Sequence, residues 1–404
     1  MFPLLTQAEK PARYTGGEWN AVKKTGPVRA RFCLCFPDLY EIGMSNLGLQ
    51  ILYGEINARD GFAAERCYAP AEDMAALLRK NGIPLLSLET ATPLKEFDMI
   101  GFSVQFELLY TGILYMLDLA GIPFRAEDRG EDFPIIMAGG PCTVNPEPFA
   151  DFFDCIVIGE GEGVDLALLE LVAEGKEKGW SKREVLRRAK EITGVYVPSM
   201  LAEGEMVTKA VYKDFEHAPY PLRPVVANTE AVHDRAVIEL YRGCASGCRF
   251  CQAGFWYRPI RERSPERCAE YAKEIVNNTG YGEIAMCSLS TGDYSGLRPL
   301  MDGLRGFVHE NKVNLSLPSL RLSSFSGDIA QESRRSSLTF APEAGTQRLR
   351  NVINKNVTDA EIDNVAKAFE TGYDSVKLYF MLGLPTETDE DIAGICLLYT
   401  SPSP

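Results

Sequence analysis

The first half of the chain alternates short, uniformly apolar runs with stretches whose apolar positions recur every three to four residues. The runs at 29–36, 85–88, 99–104, 135–138 and 155–158 have the pattern of strands buried on both faces. The segments 47–56, 71–81 and 108–119 carry the helical period. Such alternation predicts a parallel sheet with helices on both sides, in which ligands bind beyond the carboxyl ends of the strands. Two glycine-rich turns fall at those ends, Gly139-Gly140-Pro141 and Gly159-Glu160-Gly161-Glu162. Residues 165–193 read as a charged amphipathic helix, and 195–198 with 206–212 as a small strand pair. The proline-rich run APYPLRP lies within 205–230, which we take as a linker.

Beyond it the alternation resumes. Strands are predicted at 236–241, 283–288, 313–317, 337–340 and 375–381, and helices at 265–279, 297–311, 345–351 and 359–371. Five βα units in succession indicate a barrel or part of one. The run from Thr386 opens a further helix with capping residues and early acids. The chain then turns into CLLYTSPSP, where Pro402 and Pro404 cannot continue a helix. The reading is an α/β chain with a Rossmann-like domain at 1–204, a linker at 205–230, a barrel at 231–395 that is truncated on its C-terminal side, and a non-native tail at 396–404.

Composition narrows the class. The chain has 404 residues, 46% hydrophobic and 24% charged, as in a soluble globular protein. A net charge of −14 speaks against a duplex-binding surface spread over the whole molecule. The N-terminus lacks the basic start and apolar core of a signal peptide. The longest apolar stretch, 102–124, is interrupted by Glu107 and Asp118 and reads as a strand and a helix rather than a membrane span. A cytoplasmic protein is expected, in which the eleven cysteines are thiols or metal ligands rather than disulfides. Of the three histidines, His217, His233 and His309, none lies before residue 217.

The specific chemistry sits after the first strand of the second half. There Arg242-Gly243 leads into Cys244, Cys248 and Cys251, with Phe250 before the last cysteine. Three thiolates this close suit three irons of a cubane cluster. The fourth iron has no local protein ligand, which leaves a coordination position open to a small molecule. A structural zinc site is the competing reading. It would need a fourth ligand from Cys268 or Cys287, and neither completes a second pair.

This spacing, with an aromatic residue before the last cysteine, resembles that of the radical S-adenosylmethionine (SAM) superfamily. The resemblance implies a [4Fe–4S] cluster on Cys244, Cys248 and Cys251, with SAM on the open iron and Phe250 near its adenine. It implies one-electron cleavage of SAM to methionine and a 5′-deoxyadenosyl radical that takes a hydrogen from a substrate. A low-potential donor, flavodoxin or ferredoxin, would supply the electron. By the same resemblance Thr291, Gly292 and Asp293 take the place of the loop that binds the SAM amino group, though an ordinary βα turn uses the same residues. Glu343 resembles a carboxylate near the ribose, and an acid at a helix start reads equally well. Gly383, in LYFMLGLPTET, would let the backbone pass close to the adenine. Arg258, Arg261, Arg263, Arg267, Arg334 and Arg335 could hold an anionic substrate or simply form a solvated face.

Residues 135–163 resemble the end of the cobalamin-binding domain that precedes many radical SAM cores. The resemblance implies that Gly139, Gly140, Gly159, Glu160 and Gly161 approach a large flat ligand. With no histidine before His217, a cobalamin here could not have its cobalt held by a histidine of that domain. Cobalamin would direct the radical chemistry to methyl transfer. Two other outcomes stay open: a methylthiotransferase-like reaction on a macromolecule, for which Cys33, Cys35 and Cys67 lack convincing spacing for a second cluster, and a non-enzymatic cluster- or zinc-carrying RNA-binding module.

Overall fold

The computed structural model describes residues 2–202, 204–317, 338–363, 369 and 375–400. The chain divides into two compact units, Met1–Asp234 and Arg235–Pro404. Among the described residues no helix is long and apolar enough to cross a membrane.

The first unit is a six-stranded sheet of β1 (Ala30–Phe36), β2 (Phe62–Tyr68), β3 (Met99–Ser103), β4 (Ile135–Gly139), β5 (Cys155–Val157) and β6 (Val195–Tyr196). The strands lie in the order β2-β1-β3-β4-β5-β6. The first five run parallel and β6 is antiparallel to β5. Alternate residues of each strand enter different cores. Cys33, Cys35, Ile100, Phe102 and Ile136 face the helices Glu72–Asn81 and Tyr110–Ala120. Phe32, Leu34, Met99, Met137 and Val157 face Leu47–Asn57, Val164–Lys178 and Lys182–Ala189. The charged stretch 165–193 is therefore two helices. The first is capped by left-handed Gly179, and the second is started by the Ser181 side chain, which accepts from Glu184 N.

β2 is a strand that the apolar pattern does not predict. It is buried throughout although it carries Glu65 and Arg66. Arg66 bonds Glu89 Oε1 at 2.6 Å and Glu18 Oε2 at 2.9 Å, and its guanidinium lies over the Tyr53 ring. A buried charge persists only when paired in this way. The expected strand at 85–88 is instead a turned segment with a single bridge, Leu86 to Pro93. Of 206–212, only Ala210 bridges, in parallel, to Gly159. The stretch read as a linker runs along this unit: Gln50 and Val225 exchange two hydrogen bonds, and Asn228 N donates to Tyr40 Oη.

In the second unit β7 (Ala236–Glu239), β10 (Glu283–Cys287) and β11 (Asn314–Ser316) form a parallel sheet in the order β11-β10-β7. A short antiparallel ribbon pairs β8 (Tyr241–Arg242) with β9 (Arg261–Glu262). β12 (Leu338–Glu343) and β13 (Val376–Phe380) form a second parallel pair. Helices Pro265–Thr279, Leu297–Asn311 and Gln347–Val352 follow their strands, and Ser264 and Thr346 cap the first and last of these. Of the predicted helix 359–371, Asp359–Asp363 and residue 369 are described. Arg334 and Arg335 lie outside the described residues. The last helix, Asp389–Thr400, runs on into the segment read as a tail.

Arg66→Ala would strand Glu18 and Glu89 without a counter-charge. It is expected to cost about 3–5 kcal/mol, measured as a lower urea midpoint at unchanged slope. Glu55 behaves differently. Burial, reinforced by Glu162 and opposed by the Gly163 N–H, pushes its carboxyl up to about 7. The fold thus keeps a proton that the unfolded chain releases at about pH 4.3, so stability falls as pH rises from there to about 7. Glu55→Gln is expected to raise the melting temperature at pH 8 and leave it nearly unchanged at pH 4.

Candidate functional site

The cysteine loop spans the two strands of the β8–β9 ribbon, so its base is closed by backbone pairing of Tyr241 with Glu262 and Arg242 with Arg261. A bidentate bond from the Arg242 guanidinium to Glu239, 2.9 and 3.0 Å, fixes the point of departure. Gly243 follows at φ +99°, and a Cβ there would lie 3.0 Å from both Ile260 Cα and Pro259 O. Only glycine lets the outgoing chain cross the returning one. Within the loop Cys251 N donates to Cys248 O at 3.1 Å.

Cys244, Cys248 and Cys251 are half-buried, and none of the eleven cysteines is in a disulfide. All three line one cavity of about 290 Å³ together with Phe250, Ser290 and Glu343. Among the described residues, no group of three His, Cys, Asp or Glu side chains gathers around the position of a single metal ion. A cubane cluster takes one thiolate on each of three separate irons, so its ligands border a volume rather than a point. The donor set and the cavity beside it fit such a cluster.

A further part of the wall comes from β12, which pairs with β13. Its register shifts between Phe340 and Glu343, and Glu343 sits at φ +71°, a region that side-chain-bearing residues rarely adopt. Its carboxylate pairs with Lys355 Nζ at 3.2 Å, and both residues line the cavity. The cavity thus presents one cation and one anion side by side.

The turn after β10 reaches the cavity earlier than the sequence reading places it. Leu289 and Ser290 line the wall, whereas Thr291, Gly292 and Asp293 do not. The Thr291 hydroxyl is buried and turned back to Met286 O and Ser288 Oγ, and Asp293 is exposed. Ser290 was not singled out in the sequence. Its carbonyl accepts from Tyr241 Oη at 2.6 Å, and Tyr241 stacks on Tyr294. Its own hydroxyl is buried and makes no hydrogen bond among the described residues. Such an atom at a cavity wall is suited to a polar ligand. Gly383 also lies off the wall, at φ +82° in a turn where its N–H donates to Glu387. Arg263 is buried, donating to Glu239 O, and Arg258 stacks over Phe255. Among the described residues, none of Arg258, Arg261, Arg263 and Arg267 lines the cavity.

In the first unit the glycines fall at the carboxyl edge of the sheet, but two of them meet their own chain. A Cβ on Gly140 would lie 2.8 Å from Val104 O, and one on Gly159 would lie 2.2 Å from Ala210 O. Glu160 accepts from Tyr212 N, and Gly161 packs against Leu52. Gly139 alone of the four faces open space. The same edge carries exposed apolar side chains: Ile42 after β1, Phe106 and Leu108 after β3, and Val144 after β4. They flank the junction of β1 and β3, where the strand order reverses.

Comparison with known proteins agrees with both units. Residues 48–198 match the model for the N-terminal region of radical SAM proteins, and residues 238–398 match that of the radical SAM superfamily. The uncharacterized protein MJ0966 of Methanocaldococcus jannaschii is 30% identical over 365 residues, covering 89% of this chain and 71% of the relative. Among solved structures, the radical SAM methyltransferase TsrM of Kitasatospora setae with cobalamin and a [4Fe–4S] cluster bound superposes with a TM-score of 0.62 at 12% identity, over 92% of this chain and 73% of that one. TsrM with its tryptophan substrate and a SAM analog bound gives 0.61 at 13% identity, over 91% and 71%. The cobalamin-dependent SAM radical enzyme OxsB gives 0.63 at 16% identity, over 90% of this chain and 51% of that one. At these identities the structural likeness is one of fold, whereas the sequence relative and the matched models reach family level: the chain belongs to the radical SAM superfamily and is an enzyme that works with a [4Fe–4S] cluster and SAM.

Proposed function

We propose that Cys244, Cys248 and Cys251 hold the cluster and that SAM lies in the adjoining cavity, where its cleavage starts hydrogen abstraction from a substrate. The observation that carries this reading is the placement of three thiols, an ion pair and an unbonded hydroxyl around one cavity. When bound, the cluster supplies one electron, which splits SAM into methionine and the 5′-deoxyadenosyl radical. The protein's part is to place SAM and keep it there. Lys355 and Glu343 present opposite charges to a ligand whose amino-acid end carries both. Ser290 Oγ offers a further polar contact, and Phe250 an apolar surface for the adenine. Thr291, Gly292 and Asp293 act from behind by shaping the turn that presents Ser290. A low-potential electron carrier is the required partner.

For the first unit we propose cobalamin along the carboxyl edge of the sheet, and with it methyl transfer to an unreactive carbon. Ile42, Phe106, Leu108 and Val144 would supply an apolar platform for the flat face of the ring, with Gly139 open beside them. TsrM, solved with cobalamin, and OxsB, cobalamin-dependent, share the fold. No histidine precedes His217, so this unit would hold the ring by its faces and edges. The methylthiotransferase-like alternative gains little: Cys33, Cys35 and Cys67 do meet, but fully buried in the apolar core, where burial pushes the thiols of Cys33 and Cys35 well up, and hydrogen bonds from these two hold that of Cys67 down against its own burial.

Anaerobically reconstituted protein is expected to bind four irons and, with reductant and SAM, to form 5′-deoxyadenosine. Alanine at Cys244, Cys248 or Cys251 should abolish both. Full iron and sulfide in the triple variant would disprove the assignment. Ser290→Ala removes a hydroxyl that bonds none of the described residues. It should leave melting and iron content unchanged while raising the KM for SAM about tenfold, the worth of roughly 1.4 kcal/mol for one hydrogen bond to a charged ligand. An unchanged KM would remove Ser290 from the site.

A further inference from the structure

The cysteine loop is gripped from outside by the end of the helix Gln347–Val352, which lies about a hundred residues further along the chain. Arg249 N donates to Ile353 O at 2.9 Å, and the Arg249 guanidinium donates to Val352 O. The next residue, Asn354, sits at φ +54°, a conformation asparagine tolerates better than most side chains. Its amide Nδ2 donates to two successive loop carbonyls, Gly247 O at 2.9 Å and Ser246 O at 3.3 Å.

Those two bonds fix the opposite faces of the same peptides. In a trans peptide the N–H points away from the C=O. With the carbonyls of Ser246 and Gly247 turned to Asn354, the N–H groups of Gly247 and Cys248 point to the far side. Gly247 N lies toward a residue of the cavity wall: a Cβ on Gly254 would lie 3.9 Å from it, and Cys248 itself lines the cavity. Without a donor at Asn354 the peptides are freer to rotate and present carbonyl oxygens there instead. Hydrogen bonds to the sulfurs stabilise the reduced, more negative cluster and raise its potential.

We infer that Asn354 is a positioning residue that sets the reduction potential of the cluster by orienting the amides of Gly247 and Cys248 toward it. This rests on the assignment of Cys244, Cys248 and Cys251 as cluster ligands. The informative variant is Asn354→Gly. Glycine accepts φ +54° without strain, so the turn survives and only the two donated bonds are lost.

The test is a redox titration of the reconstituted holoprotein followed by electron paramagnetic resonance, with iron content measured on the same samples. Asn354→Gly should keep its iron and show a more negative midpoint. The expected shift is about a tenfold fall in the reduced-to-oxidised ratio at a fixed poise, or 59 mV for one electron. An unchanged midpoint with full iron would overturn the inference. If Asn354→Gly loses its iron, Asn354→Gln decides, because its amide can still donate. Iron retained by the glutamine variant supports the role, and iron lost from both variants overturns it. Wild-type protein that holds no [4Fe–4S] cluster would instead defeat the parent assignment.

Discussion

The second unit is organised around a loop that must present three thiols to one cavity without being held by them. Backbone pairing of β8 with β9 closes the base of that loop, and the Arg242–Glu239 bidentate bond fixes its first residue. Closure in this way limits the entropy that the segment would otherwise keep. The remaining restraint comes from Val352, Ile353 and Asn354, which hold the tip. The next residues, Lys355 to Val357, then line the cavity, so the segment that holds the loop also contributes to the site. Arg350 locks this arrangement from the buried side by donating to Ala344 O and Val357 O.

The first unit answers a different requirement. A doubly wound sheet offers a ligand the edge where its strands end and its order reverses. Here the tightest glycines, Gly140 and Gly159, are occupied by the chain itself, at Val104 and Ala210. What is left for a ligand is an apolar surface with one open glycine. A broad, flat partner matches that surface better than a phosphate, which would call for exposed backbone N–H groups at a helix start.

Much of this was legible in the sequence, and the exceptions share a cause. β1, β3, β4 and β5 announce themselves because their apolar residues are consecutive. β2 does not, because Glu65 and Arg66 interrupt it and its burial depends on Glu18 and Glu89, distant in the chain. The cysteine loop is legible because its ligands are local. Ser290 is not, because a serine in a serine-containing turn is ordinary until its hydroxyl proves buried and unbonded. Asn354 is hidden for the same reason as Arg66. Its role lies in bonds to Ser246 and Gly247, and no local pattern reports those.

The composition of β2 also has a consequence for assembly. A parallel sheet ends in two rows of unsatisfied backbone groups, each a template on which another chain can polymerise. On one side the short antiparallel β6 terminates the ladder. On the other, β2 is the outermost strand, and it carries an acidic and a basic side chain engaged in ion pairs. Its outward backbone is already engaged: Leu88 N donates to Arg66 O, Arg66 N donates to Glu89 Oε2, and Ala64 exchanges two bonds with the Asn57 amide, so this edge is covered rather than open. Glu89 is both the counter-charge of Arg66 and part of that cover, so the ion pair that hides this strand from an apolar-pattern reading also helps to keep the unit from propagating its own sheet.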